Sequence, residues 1–251
     1  FAIPSISKLL HRTAQYEEAG VKRLDDTKAT LYSIFLYPEG SEERNNMTKH
    51  LNWVHSHYDI SNDDNIYTLL RMFLLPIEWV QKWGWRRLTE REIEVMFAEL
   101  LLIGKAMNIR ELPENYVDAR AWQLRYRQQY EQFQPTNQAV AQGIIQAMQA
   151  HFPSVLRPIV PVLVVAFLDN DKLISALGLR PATRVQKRFA KGVIHTWNVI
   201  QKIFRPWSKK TFSSSWIANY YPSYNNQLVC CELGPKKLTH HRNKTSGCPF
   251  H

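Results

Sequence analysis

The stretch Thr89-Glu-Arg-Glu-Ile-Glu-Val-Met-Phe-Ala-Glu-Leu-Leu-Leu-Ile-Gly-Lys-Ala-Met107 decides the fold class. Its apolar residues Ile93, Met96, Phe97, Leu100, Leu101, Ile103 and Met107 recur at the spacing that stacks side chains along one face of an α-helix. Thr89 followed by Glu92 fits a capping box, in which the hydroxyl and the carboxylate each satisfy an amide of the first turn. The same periodicity runs through most of the chain, and strand-like alternation is scarce. The fold expected is therefore all-α, a single globular multi-helix bundle of about nine or ten helices. Pro38-Glu-Gly40, Pro135-Thr136, Phe152-Pro153 and Arg180-Pro181 mark the breaks between helices, and no internal repeat is visible.

Of the 251 residues, 45% are hydrophobic and 22% charged, enough apolar side chain for a sizeable core. Disorder, a collagen-like repeat and a small disulfide scaffold are excluded. With 9 Gly and no Gly-rich loop to cradle a phosphate, a nucleotide-binding α/β fold is disfavoured.

The net charge of +10 is unevenly distributed. The segment from Lys172 to Cys231 contains ten basic residues and no acid, and the remainder is balanced at 22 of each. Within it, a helix spanning about 182–205 carries an apolar stripe of Val185, Phe189, Val193, Trp197, Ile200 and Phe204, flanked by Arg184, Lys187, Arg188, Lys191 and Lys202. Three readings stand: a core-packing helix with a solvated face, a surface that leans on anionic lipid headgroups, or a nucleic-acid surface. No recognised base-reading motif accompanies it, so nucleic acid is not an expected partner. The helical domain is taken as residues 1–207. The Ser213-Ser-Ser215 run opens out an irregular C-terminal tail over 208–251.

The longest apolar run, Pro158 to Leu168, is shorter than the roughly 20 residues that cross a bilayer, and reads as a buried or interfacial helix. A chain that starts at Phe1 without Met is compatible with loss of an N-terminal signal or anchor, so the lack of a spanning segment weighs little. Cys230, Cys231 and Cys248 all lie in the tail, and an odd number leaves one thiol over within a monomer. Asn46-Met-Thr48 and Asn243-Lys-Thr245 are glycosylation sequons of the kind that arise by chance.

HExxH, CxxC, CxxCH, GxSxG and a Glu three residues before a His are all absent from the chain, which disfavours zincins, di-iron bundles, α/β-hydrolases and c-type cytochromes. Cys248-Pro249 is a weak haem-ligand candidate. Histidine is the concentrated resource that remains: His50, His55 and His57 fall in one segment. Seven apart, His50 and His57 align on a helix, whereas His55 points elsewhere. Beside Trp53 and Val54, a buried neutral His55 imidazole suits a haem iron or one metal position, although spacing alone favours a satisfied core histidine. Upstream, Arg23 and Thr27 are neighbours on one helical face, able to bind a carboxylate and polarise a small molecule. The bland alternative is an exposed Arg paired with Asp25 and Asp26.

Ile3-Pro-Ser-Ile-Ser7, Lys22-Arg23 with Asp26-Thr27, Leu51-Asn-Trp-Val-His-Ser56, Ile60-Ser-Asn-Asp-Asp64 with Tyr67-Thr-Leu69, and Pro76-Ile-Glu-Trp79 form an ordered series. Trp85-Arg-Arg-Leu-Thr-Glu90, Gly104-Lys-Ala-Met-Asn-Ile109 and Arg205-Pro206 continue it, and Gly234-Pro235 extends it. The series resembles the fungal ER-bound oxygenases, whose type member cleaves the farnesyl side chain of a mycophenolic acid precursor. The wider superfamily contains the rubber oxygenases, or latex-clearing proteins.

That resemblance implies a helical domain enclosing haem b, with His55 as proximal iron ligand and Arg23 and Thr27 on the helix facing the other side of the haem. Dioxygen would bind there, with Thr27 donating a hydrogen bond to it and Arg23 anchoring a propionate. It implies a haem-dependent oxygenase or dioxygenase of secondary metabolism that cleaves or rearranges a carbon-carbon double bond in a hydrophobic prenyl or polyketide-derived substrate, at the endoplasmic reticulum membrane. Two departures stand out. Asp26 occupies a position where rubber oxygenases can carry a Lys, and is a candidate base or a helix-capping or salt-bridging residue. Ser7 falls near the position of their acidic base. The competing functions are a haem protein with isomerase or dearomatising chemistry and a non-catalytic membrane-surface or partner-binding module.

Overall fold

The computed structural model describes residues 1–168, 170–204, 220–225 and 230–239. The helices are α1 (Pro4–Thr13), α2 (Gln15–Glu18), α3 (Gly20–Leu36), α4 (Glu42–His55), α5 (Asn62–Trp83) and α6 (Glu90–Ala106). They continue as α7 (Tyr116–Tyr130), α8 (Pro135–Ala150), α9 (Val160–Leu168), α10 (Asp171–Ala176) and α11 (Arg184–Phe204). No strand occurs among the described residues. Helix starts are written locally. Ser41, Ser61, Asn115 and Asn170 each accept a first-turn amide, and the Thr89–Glu92 capping box forms as expected. The Pro38-Glu-Gly40 break separates α3 from α4, with Gly40 at a φ of 81° that only glycine adopts without strain.

The main core centres on α5, whose Ile66, Leu69, Leu70, Phe73 and Leu74 are buried against Ala29 and Ile34 of α3, Met47 of α4, and Phe97, Leu100 and Ile103 of α6. Burying an aliphatic or aromatic side chain of this size contributes on the order of 2 kcal/mol, so this cluster dominates stability. Helices α1, α2 and α3 all pack on α8. Ser7 is part of that seam. Fully buried, it donates to Oδ1 of Asn137 at 2.5 Å, so the position without an acid serves packing.

Helix α11 corrects the core-packing reading of its stripe. Ala190 is buried, Ile194 and Asn198 half-buried, and this row lies on the side that meets α9. The apolar row faces away: Val185 is 74% exposed, Phe189 49% and Trp197 55%. The physical reason is that small Ala190 permits close approach and Asn198 donates to the Trp83 carbonyl at 2.7 Å, which sets the rotation of the helix.

The described part of the tail comprises short 3-10 turns, Pro222–Tyr224 and Cys230–Glu232, and a helical turn at 236–239, and it is seated in the body. Tyr221, Tyr224 and Leu233 belong to the main core, and Cys231 is buried and disulfide-bonded. Ser213-Ser-Ser215, the Asn243 sequon, Cys248-Pro249 and Arg205-Pro206 lie outside the described residues.

Candidate functional site

Helices α3 and α4 pack side by side and bring Arg23, Thr27 and His55 around one space. Residues four apart are neighbours on a helix, and here the pair is locked. Arg23 Nη1 donates to Thr27 Oγ1 at 3.0 Å, and Thr27 Oγ1 donates back to the Arg23 carbonyl at 2.8 Å. The Thr27 proton is therefore engaged by its own helix, and the hydroxyl holds the guanidinium, which also stands over the Tyr16 ring.

The three clustered histidines have different fates. His50 is buried with Nε2 2.7 Å from the carbonyl oxygen of Leu233, so that nitrogen carries the proton and is used in holding the tail. Nδ1 of His57 is 2.8 Å from the Trp53 carbonyl on its own helix. The His55 carbonyl accepts from the Tyr58 amide at 3.0 Å, whereas no hydrogen bond to its imidazole is found among the described residues. Burial first, and the Arg23 charge second, push its pKa down to about 4, leaving a neutral imidazole at physiological pH.

Two adjoining clefts meet at this imidazole. Arg23, Thr30, Leu51 and His55 line both. The first, with about 670 Å³ of space open to solvent, is walled by Leu10, Asp26, Tyr58 and, from the tail, Leu233, Gly234 and Pro235. The second, about 750 Å³, is lined with Leu31, Ile34, Phe35, Leu69, Met72 and Phe73.

Asp26 is buried at the edge of the first cleft. Lys22 Nζ donates to both of its carboxylate oxygens at 3.0 Å, and the Tyr224 hydroxyl bonds to Oδ1. Lys22 Nζ also donates to the carbonyls of Glu232 and Gly234, at 3.1 and 2.7 Å. Burial and the Asp26 charge raise the Tyr224 phenol, which stays protonated. Asp25, one residue earlier, faces the other way to accept from His151 and from the Ser223 amide. Burial alone would raise Asp25, but these donors hold it below the usual carboxylate range.

The site thus unites the expected Arg23, Thr27, Asp26 and His55, with Asp26 committed to an ion pair. Lys22, Tyr224 and residues 233–235 are contributions that sequence reasoning did not assign. The Gly234-Pro235 pair was the available signal. At its φ of 110°, Gly234 turns the backbone beside Val54. Among the described residues no group of three or more His, Cys, Asp or Glu could hold a metal ion, so His55 stands as a single protein donor.

Residues 10–198 match the family model described as "ER-bound oxygenase mpaB/B'/Rubber oxygenase, catalytic domain". The "ER-bound oxygenase mpaB'" of Penicillium brevicompactum is 24% identical over 195 residues, 70% of this chain and 46% of that protein. The "ER-bound oxygenase mpaB" of Penicillium roqueforti is likewise 24% identical over 195 residues, covering 65% of its length. A 115-residue match at 27% identity relates the chain to the "ER-bound oxygenase mpaB" of Penicillium brevicompactum, covering 29% of that protein. The chain therefore spans less than two thirds of the curated relatives it matches. No solved structure matches it significantly.

Proposed function

The chain belongs to the ER-bound oxygenase and rubber oxygenase catalytic-domain family, and from that premise we propose that it is a haem b-dependent oxygenase acting on a hydrophobic prenyl or polyketide-derived substrate. The observation that carries this reading is His55: a neutral imidazole, used in no hydrogen bond among the described residues, at the junction of two clefts. A single neutral histidine with an available lone pair is the donor set that haem requires of the protein. Bound there, haem would supply the iron chemistry that lets dioxygen attack a carbon-carbon double bond.

The chain's own residues account for the rest. His55 would hold the iron. Arg23, kept in place by Thr27, would bind a propionate or place positive charge near the reacting oxygen. Thr27 can donate into the cleft only by giving up its bond to the Arg23 carbonyl. Its proposed role is to position Arg23 and, after rotation, to donate. Asp26 lines the cleft, held by Lys22 and the Tyr224 hydroxyl, which makes it a positioning group for the tail wall. The second cleft, lined mainly by Leu, Ile, Met and Phe, suits an apolar substrate.

The relatives are named ER-bound, and we carry association with that membrane over to this chain as part of the proposal. Among the described residues no helix is long and apolar enough to cross a membrane.

The test is an absorbance titration of the purified full chain with haemin. A Soret band that forms with wild type, His50→Ala and His57→Ala but not with His55→Ala supports the assignment. No band with wild type, or an unchanged band in His55→Ala, overturns it. Incorporation of isotope-labelled dioxygen into product then separates oxygenase from isomerase chemistry.

A further inference from the structure

We propose that α11 is a docking face for an anionic lipid bilayer, with its apolar row lying in the membrane interface and its cations at the headgroups. This inference is independent of haem and of the chemistry at His55. The argument starts from which side of the helix the body takes. Ala190, Ile194 and Asn198, spaced four apart, form the covered row of a helix that packs on α9, and the Asn198 amide is fixed on the Trp83 carbonyl of α5 at 2.7 Å. A helix with a core-forming stripe normally turns that stripe inward, because burial is its main source of stability. Here Val185, Phe189, Trp197, Ile200 and Ile203 are exposed, Val185 and Ile203 by 74% and 55%. Contiguous exposed apolar surface of this kind marks an interaction site.

Charge selects the occupant. Arg184, Arg188, Lys191 and Lys202 are exposed on the same helix, next to the apolar row. Lys187, by contrast, lies 3.6 Å from Asp171. Residues 172–231 contain no Asp or Glu to oppose those cations. An apolar row edged with Lys and Arg is complementary to an acyl layer edged with anionic headgroups. A second observation comes from the helix end. Trp197 shares a surface groove with Trp79, Trp85 and Arg86, a clustering of tryptophan and cation typical of the bilayer interface.

The experiment is vesicle flotation of the full chain with phosphatidylcholine liposomes lacking or containing about 30% phosphatidylserine. Binding is expected to the anionic vesicles and to weaken as salt rises from about 0.1 M to about 0.5 M. Arg188→Glu with Lys191→Glu should reduce binding roughly tenfold or more. Phe189→Asp with Trp197→Asp should do the same while circular dichroism stays that of wild type, since both side chains are exposed. Unchanged binding in either double variant overturns the proposal. So does wild type that fails to float but loses self-association in the Phe189→Asp, Trp197→Asp variant, which would assign the face to a second copy of the chain.

Discussion

His151 Nε2 lies 3.1 Å from Oδ1 of Asp25, joining the C-terminal cap of α8 to the buried face of α3. The other carboxylate oxygen accepts the Ser223 amide at 2.9 Å, so this one acid ties two helices and the tail together.

The hydrogen bond to Asp25 is the main cause that raises His151 above its usual value of 6.5. A raised histidine contributes stability that is complete below about 6.5 and is lost as pH climbs through the folded-state value. Asp25, held low, loses its contribution only on acidification. Thermal melts should therefore fall by the equivalent of about 1 kcal/mol between roughly pH 6 and pH 9, and His151→Ala should flatten that slope. Equal slopes in the two proteins would rule out the pair as its source.

His55 has the opposite sign. Its depressed value means that protons compete for the lone pair only in acid. If haemin binds at this position, the Soret band should hold from about pH 8 to about pH 5 and collapse near pH 4. Loss of the band between about pH 7 and pH 6 would place the ligand at a histidine of ordinary basicity.

Lys22→Ala should destabilise the protein by about 3 kcal/mol, because it leaves the Asp26 carboxylate buried without its cation. Tyr224→Phe removes one hydrogen bond and should cost about 1 kcal/mol. Chemical denaturation measures both, and limited proteolysis should cut the tail sooner in Lys22→Ala. A larger loss in Tyr224→Phe would contradict the assignment of Lys22 as the clasp.

At Gly143 on α8, an added Cβ would meet the Tyr16 carbonyl oxygen at 2.6 Å and its carbon at 2.8 Å. At Gly104 on α6 it would meet the methyl ends of Leu112 and Leu69, at 2.6 and 2.8 Å. Backbone yields less readily than a leucine tip. Gly143→Ala should lower stability by about 2 kcal/mol and Gly104→Ala by less, and calorimetry finding the reverse order would reject this reading of the α2–α8 contact.

The helices were legible because periodicity and caps are local: Thr89 with Glu92 and the break at Pro135-Thr136 act within one turn. The family resemblance drew attention to Arg23, Thr27 and His55. Two features were not legible. A stripe on α11 has the same spacing whether it faces core or solvent, and the burial of Ala190 with the Asn198–Trp83 contact, 115 residues apart, decides which. The tail wall depends on Lys22 meeting carbonyls 210 and 212 residues away, and a carbonyl looks alike at every position of a sequence.

Leu233, Gly234 and Pro235 complete one side of the cleft beside His55, yet the other walls come from residues 9–60. During synthesis, then, the helices that present the imidazole emerge long before the strap that covers it. A ligand arriving on the ribosome would find a broader berth, and one arriving after release would enter through the opening that the finished wall leaves to solvent.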